Sequence, residues 1–165
     1  MRADRVVSES PERADTVNPD REVTAGEAMS SPVVTVPEGG TILEAWTVMV
    51  TFRVRHAVVV RGDHCIGVLD DRALVEAWES GPSVLRSTAV RQLIGQRTVC
   101  VLPDASLREV AAIMNTCQVD AVPVVRADGK LVGLITAGDV IHAVSEHGLH
   151  AARDDGTRRD KKDTP

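Results

Sequence analysis

Aromatic side chains are scarce in this chain: one Phe, two Trp and no Tyr among 165 residues. A surface that grips single-stranded nucleic acid by stacking bases on rings is thereby excluded. An excess of basic charge is missing as well, the formal net charge being −5, so neither nucleic acid nor an anionic membrane surface is an expected partner. No long hydrophobic run occurs. The longest apolar stretch, around Thr41 to Phe52, falls short of the roughly 20 residues needed to cross a bilayer. The opening Met1-Arg2-Ala3-Asp4-Arg5 has acidic residues soon after it and no apolar h-region, so no secretory signal is expected and the protein reads as cytoplasmic. Cysteines are few and oddly numbered: Cys65, Cys100 and Cys117 sit far apart in or beside apolar runs, with no Cys-x-x-Cys. That is the usage of reduced cytosolic thiols, with no obvious electropositive setting for a reactive or disulfide role.

What remains suits one compact unit, with 43% of residues hydrophobic. Residues 1–22 and 150–165 are dominated by charge, Ser and Pro or by alternating Arg, Asp and Lys. They carry too little apolar surface to offset the entropy of ordering, and both are expected to be disordered tails.

Between the tails the chain repeats itself at an interval of about 65 residues. The first copy runs Pro32-Val-Val-Thr-Val36, Thr41-Ile-Leu-Glu44, His56-Ala-Val-Val-Val60, a turn, and Cys65-Ile-Gly-Val-Leu69. The second runs Arg97-Thr-Val-Cys-Val101, Ser106-Leu-Arg-Glu109, Ala121-Val-Pro-Val-Val125, a turn, and Leu131-Val-Gly-Leu-Ile135. Thr41 with Glu44 and Ser106 with Glu109 fit the capping box that opens a helix. Behind them Ile42, Ala45, Trp46, Met49 and Val50 share one helical face, as do Leu107, Val110, Ala111 and Met114, and both stripes read as core. The short β-branched runs read as buried strands, and Gly62-Asp63 and Asp128-Gly129 as hairpin turns. A further helix follows each hairpin, over about 72–78 and 137–146. Each copy is therefore β-α-β-β-α, too small to bury its own sheet, and the expected fold is α/β with two repeats, 23–84 and 85–149, packed about a pseudo-twofold axis.

The chemistry concentrates at Gly133-Leu-Ile-Thr136-Ala-Gly-Asp139, a strand end, a hydroxyl and a carboxylate three residues later. As local structure this is a capping box, with Asp139 near the positive end of a helix dipole. The same groups suit a nucleotide, since free backbone donors at a helix start attract phosphate and a carboxylate can accept two hydrogen bonds from a ribose diol. His142, His147 and His150 cluster near the end of the chain, with no further ligand to complete a metal site. His64-Cys65 point to opposite sides of a strand, so no nucleophile and base meet and catalysis is not expected.

The paired order, Val122-Pro123-Val124-Val125 followed by Gly133 through Asp139, resembles the CBS (cystathionine β-synthase type) domain family over about residues 27–146. The resemblance implies a tandem pair that binds an adenosyl ligand, AMP, ADP, ATP or S-adenosylmethionine, and regulates rather than catalyses. Carried over residue by residue, Asp139 holds the ribose hydroxyls, Thr136 contacts ribose or phosphate, and Thr98, Val99, Ala121, Val122 and Pro123 surround the adenine. Gly138 stands where a common family variant has Arg or Lys, which removes a phosphate partner; Arg97, Arg126 and Lys130 are the candidates to replace it. In the first copy Asp70 replaces the hydroxyl and Ala73 the carboxylate, so one competent site is expected. The resemblance also implies a homodimer acting on an unidentified protein target. The rival is a ligand-free scaffold in which Thr136 and Asp139 only cap a helix.

Overall fold

The computed structural model describes residues 22–79, 81–95 and 98–147. The two expected tails fall outside this range apart from Glu22. The elements are α1 (Ala25–Ala28), β1 (Thr35–Pro37), α2 (Ile42–Phe52), β2 (His56–Arg61), β3 (His64–Asp70), α3 (Asp71–Trp78), α4 (Pro82–Ser87) and a 3-10 turn at Val90–Gln92. The second copy adds α5 (Leu107–Cys117), β4 (Ala121–Val125), β5 (Leu131–Thr136) and α6 (Ala137–His147). The fold is mixed α/β with two related repeats, as the sequence implies.

Capping chemistry sets the helix starts. Thr41 Oγ1 accepts from the Glu44 amide while Glu44 returns to the Thr41 amide at 2.6 Å, and Ser106 and Glu109 repeat the device. The Glu44 carboxyl is held below its ordinary range by the Thr41 amide and hydroxyl. At their other ends α2 and α5 stop on Arg53 (φ 54°) and Gln118 (φ 55°), both left-handed without being glycine. Ile42, Ala45 and Met49 are buried, as are Leu107, Val110 and Met114. Val50 departs from its expected core position and is 57% exposed.

In the first repeat β1 pairs in parallel with β2, and β2 antiparallel with β3. In the second only β4 and β5 form a sheet, and the strand expected at 97–101 shrinks to an isolated bridge from Val101 to Val124. Two prolines explain the loss. The Val58 amide donates to the Val34 carbonyl and the Glu38 amide to the Val60 carbonyl. The corresponding positions of the second repeat are Pro123 and Pro103, which have no N–H to give. Only the two central bonds survive, Val101 N to Pro123 O at 3.0 Å and Val125 N to Val101 O at 2.9 Å.

The repeats exchange their leading segments. Ala25 N donates to Ala105 O, Gly26 N to Pro103 O and Leu107 N to Val23 O, and α1 joins the core of Val101, Val110, Val122, Val124 and Ile135. In the mirror arrangement Val90 N donates to Gly40 O and Ile42 N to Thr88 O, and Leu85 and Val90 join the core of the first repeat. Each hairpin has a buried glycine that receives the exchanged segment. A Cβ on Gly67 would lie 2.7 Å from Ile94 Cδ1, and one on Gly133 would meet the Met29 side chain. A third cluster, Val58, Ala121 and Leu134 with Val33, Val60, Cys65, Val68 and Leu131 around it, seals repeat to repeat. Hairpin tips add a polar clasp: Leu131 N donates to Asp63 O at 3.0 Å and Lys130 Nζ lies 2.9 Å from Asp63 Oδ2. No helix among the described residues is long and apolar enough to cross a membrane.

Candidate functional site

Strand β5 runs directly into α6, and Thr136 sits at the junction. Asp139 Oδ2 accepts from both the Thr136 amide and its hydroxyl at 2.7 Å, while the Asp139 amide donates back to Thr136 Oγ1 at 3.3 Å. The capping box is complete without any ligand. Asp139 Oδ1 accepts only a long bond from Ser30 Oγ at 3.5 Å, so one carboxylate oxygen fixes the helix start and the other keeps acceptor capacity at its edge.

Beside this junction lies a cleft of about 390 Å³, lined by Thr136, Ala137 and Gly138 on one side and by Pro32, Val33 and Val34 on another. Its remaining wall is Arg53, Val54, Arg55 and His56 from the end of α2 and the start of β2. The cleft is thus built from both repeats: Ser30 crosses over on the exchanged segment, while Val34 stays with the first repeat, its carbonyl accepting from the Val58 amide. Its composition is an apolar strip, a hydroxyl–carboxylate pair and two guanidinium groups.

Arg55 is partly engaged, with Nε 3.5 Å from Asp71 Oδ2 and Nη2 3.7 Å from Asp120 Oδ2. His56 is buried and its Nε2 lies 2.9 Å from Asp120 Oδ1. Burial pushes the Asp120 carboxyl upward, but the His56 hydrogen bond and nearby charges outweigh it and hold the group below its ordinary range. This cluster also walls a second cleft of about 550 Å³ on the other side, lined by Val68, Asp70, Arg72, Gln118, Val119 and Ala121 among others. The second cleft is the pseudo-twofold mate of the first. There Asp70 Oδ1 caps the Ala73 amide at 2.7 Å, and with Ala at 73 nothing returns the bond. The hydroxyl–carboxylate pair is absent from this side.

Of the residues assigned to the base wall, Ala121 is the cross-strand partner of Thr136, but none of them lines the cleft beside it. Ala121 lines the mate cleft, Val122 and Pro123 are fully buried behind it, and Val99 lines neither of these two clefts. Thr98 is turned away, its hydroxyl donating to Ile66 O at 2.6 Å. The cleft lies at the seam between repeats, and the apolar strip beside Thr136 comes from residues 32–34 of the first repeat, not from their counterparts 97–99. Of the cations named as phosphate partners, Lys130 is held in the hairpin clasp by Asp63, and Arg126 lines neither cleft. Arg97 lies outside the described residues. Arg53 and Arg55, which the sequence does not single out, are the ones that line the cleft. Their signal was the positive φ of Arg53, a turn that sequence spacing does not reveal. Among the described residues no group of three His, Cys, Asp or Glu side chains is placed to hold a metal. His142 pairs with Glu146 at 3.4 Å, while His150 and the side chain of His147 lie outside the described residues.

The family model for the CBS domain matches twice, over residues 25–80 and 90–146. The chain belongs to the CBS domain family. A curated relative, homoserine O-acetyltransferase of Methanohalobium evestigatum, is 26% identical over 119 residues, covering 72% of this chain and 23% of its own. This CBS chain therefore spans about a quarter of the length of the curated relatives that head the comparison. Among solved structures, CBSX2 in complex with AMP superposes with a TM-score of 0.66 at 24% identity, covering 74% of this chain and 96% of that one. The cytosolic domain of the Mg2+ channel MgtE in complex with ATP has a TM-score of 0.63 at 29% identity, covering 74% and 49%. The pair of CBS repeats inferred from the motifs is thus the architecture of the chain.

Proposed function

We propose that this CBS pair is an adenine-nucleotide-sensing regulatory module, not an enzyme, with one competent site in the cleft beside Thr136 and Asp139. The observation that carries the reading is the convergence there of three recognition elements. Asp139 Oδ1 and the exposed helix start suit a ribose diol and a phosphate. Val33 and Val34 offer an apolar strip to a flat heteroaromatic ring, and Arg53 and Arg55 supply positive charge for phosphates. Related CBS pairs have been captured with AMP and with ATP, which supports an adenosyl ligand here. The preference is for a phosphorylated one, since two arginines line a cleft that Gly138 leaves open.

Binding would act on the contact between repeats. A phosphate that recruits Arg55 competes with Asp71 and Asp120 for it, and Asp120 in turn holds buried His56. The output is a change in partner affinity or in homodimer geometry. A second copy is the proposed partner for the exposed apolar residues Val50, Phe52, Val75 and Trp78 on α2 and α3, which are 54–64% exposed. A second reading, a ligand-free scaffold, draws on the capping box being complete without ligand.

Thermal unfolding with adenosine, AMP, ADP, ATP, S-adenosylmethionine and GTP separates the two. Ligand at about 100 times its dissociation constant adds roughly 2.7 kcal/mol, a rise on the order of 10 °C for a domain of this size. The sensor reading expects that rise with a phosphorylated adenine compound and its loss in Asp139→Ala. In Arg53→Ala/Arg55→Ala, the response to AMP or ATP should fall toward that of adenosine. No rise with any compound, with Asp139→Ala losing only the stability of a cap, about 1 kcal/mol, would establish the scaffold instead.

A further inference from the structure

His56 is the one polar or charged side chain among the described residues that is buried, at 9% exposure, and it lines both clefts. The Asp71 amide donates to Arg55 O at 3.0 Å and the Ala137 amide to Asp120 O at 2.8 Å, so Arg55 and Asp120 are equivalent positions of the two repeats. The residues that follow them are His56 and Ala121. The imidazole therefore stands on one side of the pseudo-twofold axis without a counterpart on the other. Asp120 also holds the start of α6, whose first turn carries Asp139. One carboxylate has two claimants here: Asp120 Oδ1 lies 2.9 Å from His56 Nε2, and Oδ2 lies 3.7 Å from Arg55 Nη2. A carboxylate only accepts, so Nε2 carries the proton of that bond and a second proton goes to Nδ1.

The charges that surround His56 are evenly matched. Asp120 stands just before β4, Asp70 is the cross-strand partner of His56 at the end of β3, and Asp71 follows at the start of α3. Against these carboxylates stand Arg55 beside His56 in the chain, Arg53 from the end of α2 and Arg72 from α3, each lining one of the two clefts. The residues that α5 and α6 bring to the clefts are uncharged. Histidine is the side chain whose charge changes most readily near neutral pH, and in a balanced field an added anion favours its charged form. A phosphate monoester supplies a charge of about −2. On the reading of the cleft beside Thr136 as a site for a phosphorylated adenine ligand, we infer that His56 couples phosphate binding there to uptake of a proton. With the cleft occupied, His56 takes a second proton from solvent and holds Asp120 as an imidazolium, and Arg55, released by Asp120, turns to the phosphate. Two effects share one sign. The imidazolium attracts the phosphate from the cleft wall, and its charge-assisted bond to Asp120 displaces Arg55 from that carboxylate. Binding then tightens as pH falls through the histidine range, whereas adenosine, with no phosphate, binds without the proton.

Calorimetric titration of the full chain with AMP near neutral pH, repeated in two buffers of different ionisation enthalpy, counts the protons taken up. The expected uptake is about 0.3–1 proton per AMP bound, and close to none with adenosine. His56→Gln keeps an N–H for Asp120 without a titratable group, and its uptake should fall to whatever the phosphate of AMP itself contributes. From mildly basic to mildly acidic pH, the affinity of the parent for AMP should rise at least ~3-fold relative to that of His56→Gln, a comparison in which the titration of the phosphate cancels. A circular dichroism melt verifies that the variant folds. Should it not fold, Asp120→Asn takes its place, since without the carboxylate that holds the imidazolium the uptake should also disappear. AMP bound with no proton, or with equal uptake by parent and variant, would overturn the coupling and leave the nucleotide site standing. No heat and no rise in Tm with AMP or ATP would instead remove the site, and the coupling with it.

Discussion

Gly67→Ala tests the exchange of segments between repeats more directly than any change at the site. The new methyl would lie 2.7 Å from Ile94 Cδ1, 2.9 Å from Ile94 Cβ and 3.0 Å from Ile94 Cγ2. All three are well inside the ~3.5–4.0 Å optimum for carbon pairs. Ile94 cannot swing clear, because its Cβ is among the atoms met and β-branching restricts χ1. Overpacking of this kind costs about 1–3 kcal/mol, and the stiffness of the neighbour places the expectation near 2–3 kcal/mol. Over the described residues that is a fall in Tm of roughly 8–12 °C. Ile94→Ala alone should cost about 1–2 kcal/mol, less than for a fully buried isoleucine, since Ile94 is half-buried. In the double variant the methyl has room, so the combined cost should undershoot the sum by at least ~1 kcal/mol, measured by denaturant unfolding with a double-mutant cycle. Strict additivity, or a neutral Gly67→Ala, would mean that residues 82–94 do not pack on the first repeat.

Gly133→Ala should be comparably costly: the Met29 thioether can move aside, but the Met29 Cβ lies 2.9 Å from the new methyl, as the Ile94 Cβ does at Gly67; the comparison of the two Tm values checks this. Asp70→Thr with Ala73→Asp rebuilds in the mate cleft the hydroxyl–carboxylate pair found at 136 and 139, and calorimetric titration with AMP should report two sites where the parent reports one. Asp120 has a folded pKa below its ordinary 3.8, so its contribution to stability is present above that value and lost as pH falls through the lower folded one. Asp120→Asn should therefore flatten the stability profile in that acid window, read by urea unfolding as a function of pH. Pro123→Val adds an amide opposite Val99 O, and hydrogen exchange should find it protected if proline alone shortens the second sheet.

Helix starts and hairpins were legible in the residues. Each capping pair, each strand of the hairpins and the Thr136–Asp139 junction lies where local chemistry places it, because each is decided within about four residues of chain. The short strand at 97–101 misled, since the proline that strengthens the family resemblance also removes the donor its pairing needs. The wall of the cleft was out of reach for a different reason. Which copy a leading segment packs on depends on long-range bonds such as Ser30 to Leu134 and Ala25 to Ala105, and a repeat looks the same in sequence whether it packs on itself or on its sibling. Arg53 and Arg55 were visible as charges, but their direction follows from a left-handed turn at Arg53 that residue type does not announce.

The crossing of leading segments also dictates an order of events during synthesis. Val23 to Ser30 emerge from the ribosome early, yet their partners Ala105, Leu107 and Leu134 follow ~75–110 residues later. The first repeat, by contrast, can close on its own linker as soon as residues 82–94 are made. Residues 23–30 must wait until β5 appears, so their docking against Leu134 and Gly133 is a late assembly step. The cleft beside Thr136, built on that seam, is completed only when nearly all of the folded unit has been translated.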